Sequence, residues 1–297
     1  MRHDVIIVGG GFAGLAAATY LARARRSVVI LDTGRPRNRF ADASHGFLGH
    51  DGSDPRHILA TARKQLKAYP TVEVIEGEAS TARADDGGFS VLLGNGEEMQ
   101  ARRLILAFGL HDELPDIPGL RDRWGKTVLH CPYCHGIEFS DHQLGVLYRM
   151  PMSVHFAQLI AEWGPTTLYL NGGELADDDA AALAWRGVKV EPTPIAGLVG
   201  ENSGLSAVEL QDGRRRPIAA LYVAPHSSFA CPLAQQLGVA IDETPLGPVI
   251  RTDGDKMTSI SGLYAAGDIA RMPHSVSWAV ADGVTAGTAA HRALVFG

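Results

Sequence analysis

Val5-Ile-Ile-Val-Gly-Gly-Gly-Phe-Ala-Gly14, followed by Val28-Val-Ile-Leu-Asp32, decides the fold. The β-branched run from Val5 to Val8 suits a strand buried on both faces. Glycines end it, an alanine-rich helical pattern covers residues 12–26, and a second apolar run spans 28–31. Strand, tight turn, helix and strand make one βαβ unit of an α/β protein. In Gly9-x-Gly11-x-x-Gly14, Gly9 makes the turn, Gly11 lets backbone N–H groups approach a pyrophosphate, and Gly14 permits close helix packing. Phe12 and Ala13 lie within the same turn, where the helix N-terminus supplies partial positive charge. Asp32, ending the second strand, is placed to accept hydrogen bonds from a ribose diol. The pattern alone leaves FAD and NAD both open.

Outward from this unit, the spacing predicts a helix over 54–68 and short strands near 72–75, 89–93 and 103–107. Gly109-Leu-His-Asp-Glu-Leu-Pro-Asp-Ile-Pro-Gly119 is a poor strand or helix interior and reads as a linker. A second alternation follows: strand 144–148, helix 154–163, strand 167–170, helix 178–185 and strands up to 223. Residues 242–248 read as the return linker, and a final helix covers 275–294. The expected domains are 1–115 with 243–297, and an inserted 116–242.

The 297 residues, 45% hydrophobic and 20% charged, are enough for one large domain or two ordinary ones. A net charge of −6 offers no basic excess for nucleic acid or an anionic membrane surface. The first apolar run meets glycine after four residues, too short for a signal peptide, and no stretch approaches the ~20 residues of a membrane span. These features place the chain in the cytoplasm, with no nucleic-acid or membrane partner. There the cysteines, Cys131, Cys134 and Cys231, are too few for a structural framework.

Cys131-Pro-Tyr-Cys134-His135 is a C-x-x-C pair and reads as redox or metal chemistry. A thiolate is favoured at a helix N-terminus or beside a cationic His; Pro132 suits a first helical position, and His130 and His135 flank the pair. C-x-x-C-H also matches a c-type haem attachment, with Met150 or Met152 as ligands, but that chemistry requires export. A zinc site lacks a second ligand pair at finger-like spacing, so no metal is assigned. Cys231, alone in an apolar helix with Pro-Leu-Ala after it, reads as core.

The order of Val8-Gly-Gly-Gly-Phe-Ala-Gly14, Ala107-Phe-Gly109 with Leu114-Pro-x-Ile-Pro-Gly119, Cys131-Pro-Tyr-Cys134, and Gly262-Leu-Tyr-Ala-Ala-Gly-Asp268 resembles the low-molecular-weight thioredoxin reductases. That resemblance implies FAD as cofactor and two Rossmann-like, three-layer ββα domains of thioredoxin reductase type, the inner one inserted in a discontinuous FAD domain. It also implies a homodimer. By the same resemblance Gly109 belongs to the hinge at the cofactor, and Gly267 and Asp268 touch the ribityl and phosphate region. Cys134 lies against the flavin, and Cys131 meets the outside substrate. Where the family has an Asp after the second cysteine this chain has His135, which titrates near neutral pH and is the candidate general acid/base, with His130 as the alternative.

One family motif is missing. Where pyridine-nucleotide-dependent members carry a second glycine turn, this chain has Tyr148, Met150 and Ser153, with Pro151 removing an N–H, and Asn171-Gly-Gly-Glu174 in place of an arginine pair. The chain is therefore most similar to the FAD-dependent dithiol oxidases of the gliotoxin-oxidase type. There a small-molecule dithiol reduces the disulfide and O2 reoxidises the flavin. The segment His45-Gly-Phe-Leu-Gly-His-Asp-Gly52 also resembles these proteins, where it lies near the isoalloxazine. Two other readings stand beside this one: an NAD(P)H-dependent reductase of a protein disulfide, and a flavin-bound redox sensor.

Overall fold

The computed structural model describes residues 2–297. They divide into two compact units: the residues up to Arg39 with Phe47–His111 and Ser227–Gly297, and Phe40–Gly46 with Asp112–His226.

The first unit begins with β1 (Arg2–Val8), α1 (Phe12–Arg23) and β2 (Val28–Asp32). After α2 (Pro55–Leu66) come β3 (Val72–Glu76), β4 (Ala79–Asp85), β5 (Gly88–Leu93) and β6 (Glu98–Leu106). The strands form a sheet in the order β3-β2-β1-β6-β5-β4. β1 pairs in parallel with β2, Val5 opposite Val28, and with β6, while β4, β5 and β6 form an antiparallel meander. β1 has both faces buried, which is why its sequence is unbroken apolar rather than alternating. Val5 and Ile7 enter the core beneath α1, and Ile6 and Val8 enter the core beneath the meander. Asp54 caps α2 by accepting the Arg56 N–H at 2.8 Å, and Pro55 takes the first turn. β7 (Leu110–Glu113) follows β6 in the chain and spans the unit boundary after His111, so the Gly109–Gly119 stretch, read as linker, contains a short strand.

The second unit contains β8 (Val128–Leu129), α3 (Pro132–His135), β9 (Leu144–Leu147), α4 (Met152–Ile160), β10 (Thr166–Tyr169), α5 (Asp177–Trp185) and β11 (Lys189–Glu191). β12 (Ile195–Val199), β13 (Ala207–Leu210), β14 (Arg215–Pro217) and β15 (Ala220–Val223) follow. A parallel sheet runs β11-β10-β9-β15-β8. Leu144, Val146 and Leu168 bury against α4 and α5, whereas Leu147, Tyr169 and Leu221 bury against the antiparallel β12-β13-β14 sheet. This is again a ββα sandwich, and the strand order reverses between β9 and β15, the position where α/β sheets take ligands.

The chain re-enters the first unit at Ser227, not near 243. β16 (His226–Phe229) and α6 (Leu233–Leu237) lead into β17 (Ile241–Thr244) and β18 (Gly247–Ile250). Residues 242–248, read as a linker, are therefore a β-hairpin. Pro245 and Leu246 form its turn, and Gly247, which opens β18 opposite Thr244, has φ +123° with space for no Cβ, since one would lie 2.0 Å from the Ser227 carbonyl oxygen. β19 (Leu263–Ala265) then joins β6 in parallel, and α7 (Val276–Phe296) packs along α1. Among the described residues no helix is long and apolar enough to cross a membrane.

Candidate active site

The glycine turn is built for close approach of backbone. Gly9 has φ +111°, and a Cβ there would lie 2.2 Å from the Ala107 carbonyl oxygen; at Gly14 it would lie 1.8 Å from the Gly9 carbonyl oxygen. Gly11 behaves differently. A Cβ there would meet nothing within 4 Å, and Gly11 caps α1 with no side-chain acceptor for the first N–H groups. An uncapped helix N-terminus facing open space fits a cofactor pyrophosphate. Phe12 meets Phe47 edge-on at 6.4 Å, and Ala13 lies against Gly267, where a Cβ would fall 3.1 Å away. Gly109, at φ +74°, stands where the chain leaves β6 and accepts the Ala230 N–H at 3.1 Å.

Both carboxylates of this unit's candidate site carry cationic partners that the sequence reading missed. Asp32 accepts from Arg63 Nη2 at 2.6 Å and from the Gly34 N–H at 3.1 Å. Asp268 accepts from Arg37 Nη1 at 2.9 Å, and the same Nη1 is 2.7 Å from His274 Nδ1. Arg63 sits 31 positions from Asp32, and Arg37 sits 231 from Asp268, so no local spacing announces either pair.

In the second unit Cys131 is the N-cap of α3, and Pro132 occupies the first helical position. Cys131 and Cys134 are joined as a disulfide with Cα atoms 5.3 Å apart. The Cys134 N–H donates to Cys131 Sγ at 3.2 Å, a contact that stabilises negative charge on that sulfur once the bond opens. Tyr133 is exposed and meets Trp163 edge-on at 5.6 Å, while a Cβ on Gly136 would strike the Trp163 indole nitrogen at 2.5 Å. The short helix is thus clamped from one side by a large ring.

His135 follows directly and is half-buried. Burial holds its imidazole below the usual histidine range; the nearby Glu138 carboxylate acts upward against this, and His45 acts downward. Tyr222, buried on β15, donates its hydroxyl to the His135 carbonyl oxygen at 3.3 Å. His45 meets His135 edge-on, ring centres 5.8 Å apart, and its Nε2 stands 3.2 Å from Glu138 Oε1. Glu138 lies three residues beyond His135 in the chain, whereas His45 is a neighbour of His135 that local sequence spacing does not link. His130 is half-buried at the end of β8, on the other side of Cys131 in the chain.

A family model described as pyridine nucleotide-disulphide oxidoreductase matches residues 3–148. Thioredoxin reductase tcpT of Claviceps purpurea is 33% identical over 311 residues, spanning 98% of this chain and 94% of that protein. Thioredoxin reductase sirT of Leptosphaeria maculans is 31% identical over 303 residues, 96% of this chain and 92% of the relative. The crystal structure of an oxidoreductase from Agrobacterium tumefaciens matches at a TM-score of 0.95 with 46% identity, covering 100% of this chain and 99% of that one. The chain belongs to the pyridine nucleotide-disulphide oxidoreductase family.

Within that family it is thioredoxin-reductase-like in fold, a flavin-dependent oxidoreductase with FAD as cofactor. The glycine cradle fits that group. The second unit's equivalent turn, by contrast, is filled. Between β9 and α4 the Ser153 hydroxyl, wholly buried, accepts the N–H groups of Arg149 at 3.0 Å and Met150 at 3.3 Å. Pro151, which offers no N–H, caps α4. The Tyr148 ring covers Gly173 in the turn after β10, where a Cβ would fall 2.6 Å from it. Donors that would meet a pyrophosphate are spent on a side chain of the same loop.

Cys231 stands apart from this chemistry. It precedes α6 rather than lying inside a helix, is buried in the first unit's core, and donates to the Ala79 carbonyl oxygen at 3.4 Å. Burial pushes its thiol up. Among the described residues no group of three or more His, Cys, Asp or Glu side chains is arranged to hold a metal ion.

Proposed function

We propose that this protein is an FAD-dependent dithiol oxidase: a small-molecule dithiol is closed to a disulfide at Cys131–Cys134, and O2 is the final electron acceptor. The observation that carries this reading is the filled turn after β9, where Ser153, Pro151 and Tyr148 occupy the donors and space that a nicotinamide cofactor's pyrophosphate requires. Without that entry for hydride, the open source of electrons is the substrate dithiol itself.

In this scheme a substrate thiolate attacks Cys131 Sγ, the Cys131–Cys134 bond breaks, and Cys134 leaves as thiolate. The second substrate sulfur then attacks the mixed disulfide, releasing Cys131 and closing the substrate ring. His135 accepts a proton from each attacking thiol. FAD, when bound, supplies the two-electron acceptor to which the Cys134 thiolate passes its pair as the protein disulfide re-forms. Gly9, Gly11, Phe12, Ala13 and Gly14 present backbone to the pyrophosphate, Asp32 holds a ribose, Gly109 serves at the hinge, and Gly267 and Asp268 hold the ribityl and phosphate region. The first unit is thus the FAD domain, the second the dithiol domain with a degenerate nucleotide turn, and the protein acts as a cytoplasmic homodimer.

Anaerobic stopped-flow absorbance tests the reading. Dithiothreitol should bleach the flavin faster than NADPH does, and the opposite order overturns the oxidase assignment. Cys134→Ser should keep FAD bound yet lose dithiol-driven bleaching. The relatives called thioredoxin reductase favour a second reading, an NAD(P)H-dependent disulfide reductase; rapid bleaching by NADPH is its signature.

A further inference from the structure

Thiol–disulfide exchange at Cys131–Cys134 releases protons that must leave the site. Each attacking thiol loses one proton as its sulfur bonds to the protein or substrate sulfur, and the electron pair of the broken S–S bond stays on the departing thiolate. Two protons therefore appear for each substrate disulfide closed. One imidazole accepts one proton, so a second exchange at the same site needs a route that empties His135 first.

The groups facing His135 come from three places. Glu138 lies in the turn directly after α3, His45 comes from the Phe40–Gly46 segment, and Tyr222 on β15 engages only the His135 backbone carbonyl. The Phe40–Gly46 segment is built into the dithiol unit. Asp42 pairs there with Lys126, and a Cβ on Gly125 would strike Phe40 Cβ at 2.7 Å. His45 is held in turn by Glu138, at 3.2 Å from Nε2 to Oε1. Exposure of the side chains rises outward, from 21% at His45 to 37% at Glu138.

The geometry points to His45 and Glu138 as a proton-positioning pair for the dithiol: His135 takes the thiol proton, and the His45–Glu138 pair receives it and delivers it to water. Two imidazoles this close repel when both are charged, whereas a carboxylate beside one favours its protonated form. A proton passed from His135 to His45 then stands beside the Glu138 carboxylate, 3.2 Å from His45 Nε2, and His135 is free to take the next one. Edge-on rings with centres 5.8 Å apart leave the transfer itself to a bridging water. This inference rests on the exchange chemistry proposed above, but not on its direction, because reduction of the disulfide moves the same protons inward.

The test uses FAD-loaded enzyme, with the pH dependence of anaerobic flavin bleaching recorded for wild type, His45→Gln, Glu138→Gln and Glu138→Asp. The wild-type comparison of dithiothreitol with NADPH decides the oxidase reading by itself. The variants are then expressed as ratios to wild type with whichever reductant is faster, so the two failures separate. His45→Gln and Glu138→Gln should each slow bleaching by about tenfold to a hundredfold, less than the ~10²–10⁴ of a direct acid–base group. Glu138→Gln should move the acid limb of the profile to lower pH and His45→Gln should move it higher, because the carboxylate supports and the second imidazole opposes a proton on His135. Glu138→Asp should restore most of the rate, and free imidazole in solution should accelerate His45→Gln but not wild type. FAD content and melting temperature identify any variant that fails to fold, and Glu138→Asp with the imidazole arm then carries the decision. Profiles and rates like wild type in both Gln variants overturn the pair, and so does a rate loss with no shift in the acid limb and no response to imidazole.

Discussion

The Ser153 hydroxyl accepts the backbone N–H of Arg149 at 3.0 Å and shares itself with the next N–H, that of Met150, at 3.3 Å. Ser153 has no exposed surface, so the loop entering α4 depends on this one oxygen where water does not reach. Ser153→Ala should therefore cost about 1–3 kcal/mol, the range for leaving buried donors without an acceptor. Urea denaturation should show the lower midpoint. Under the proposed oxidase reading the variant should respond to NADPH no more than wild type does, since the Tyr148 ring still covers Gly173 and Pro151 still offers no N–H.

Gly283 on α7 touches the backbone of Ala13 on α1, and a Cβ there would fall 2.1 Å from the Ala13 carbonyl oxygen. Gly283→Ala must push the two helices apart, at about 1–3 kcal/mol or more for overpacking. Ala13 lies in the first turn of α1, so FAD retention through gel filtration should fall together with the melting temperature. Gly254→Ala, where a Cβ meets nothing within 4 Å, is the control and should leave both unchanged.

Glu191 ends β11 with its side chain 7% exposed. Burial pushes its carboxyl up, but hydrogen bonds from Arg214, Thr193 and Arg216 outweigh that and hold it at about 2, against the usual 4.5. A carboxyl whose folded value lies below its unfolded one contributes stability above the unfolded value, and loses it as pH falls through the folded one. The window therefore runs from about 4.5 down to about 2. With Arg214 and Arg216 each nearly half exposed, solvent screening leaves a contribution of about 1–3 kcal/mol. Urea midpoints on either side of pH 4.5 should differ more in wild type than in Glu191→Gln; equal differences would remove this network from the acid response.

Cys231 should be chemically silent. Its thiol is buried in the core of the first unit and held toward the protonated form. In a Cys131→Ser/Cys134→Ser protein, iodoacetamide should label nothing under native conditions and one site after unfolding. Cys231→Ala should leave dithiol-driven bleaching unchanged while lowering stability by about 1 kcal/mol.

The β1-turn-α1-β2 unit was legible because its signals are local: a β-branched run, glycines at fixed offsets and an acid at the end of the next strand. The side chains of the second turn were legible for the same reason, since Tyr148, Met150 and Ser153 stand at the positions of the family's two glycines and small residue, and Pro151 removes an N–H. Residues 242–248 misled because proline and glycine mark a hairpin turn as readily as a linker. The difference lies in what Gly247 packs against, the Ser227 backbone, and that is not a property of the segment.

The amino-acid order determined the β1-turn-α1-β2 unit with its glycine turn and the position of the dithiol, because each depends on hydrophobic period or on backbone freedom at neighbouring residues. Only the tertiary structure decided the partners of the charged groups: Arg63 on Asp32, Arg37 on Asp268, and Glu138 with His45 beside His135. Several of these partners lie tens to hundreds of positions from their mates, and a long side chain finds its counter-ion by where the backbone has folded, which no local spacing encodes.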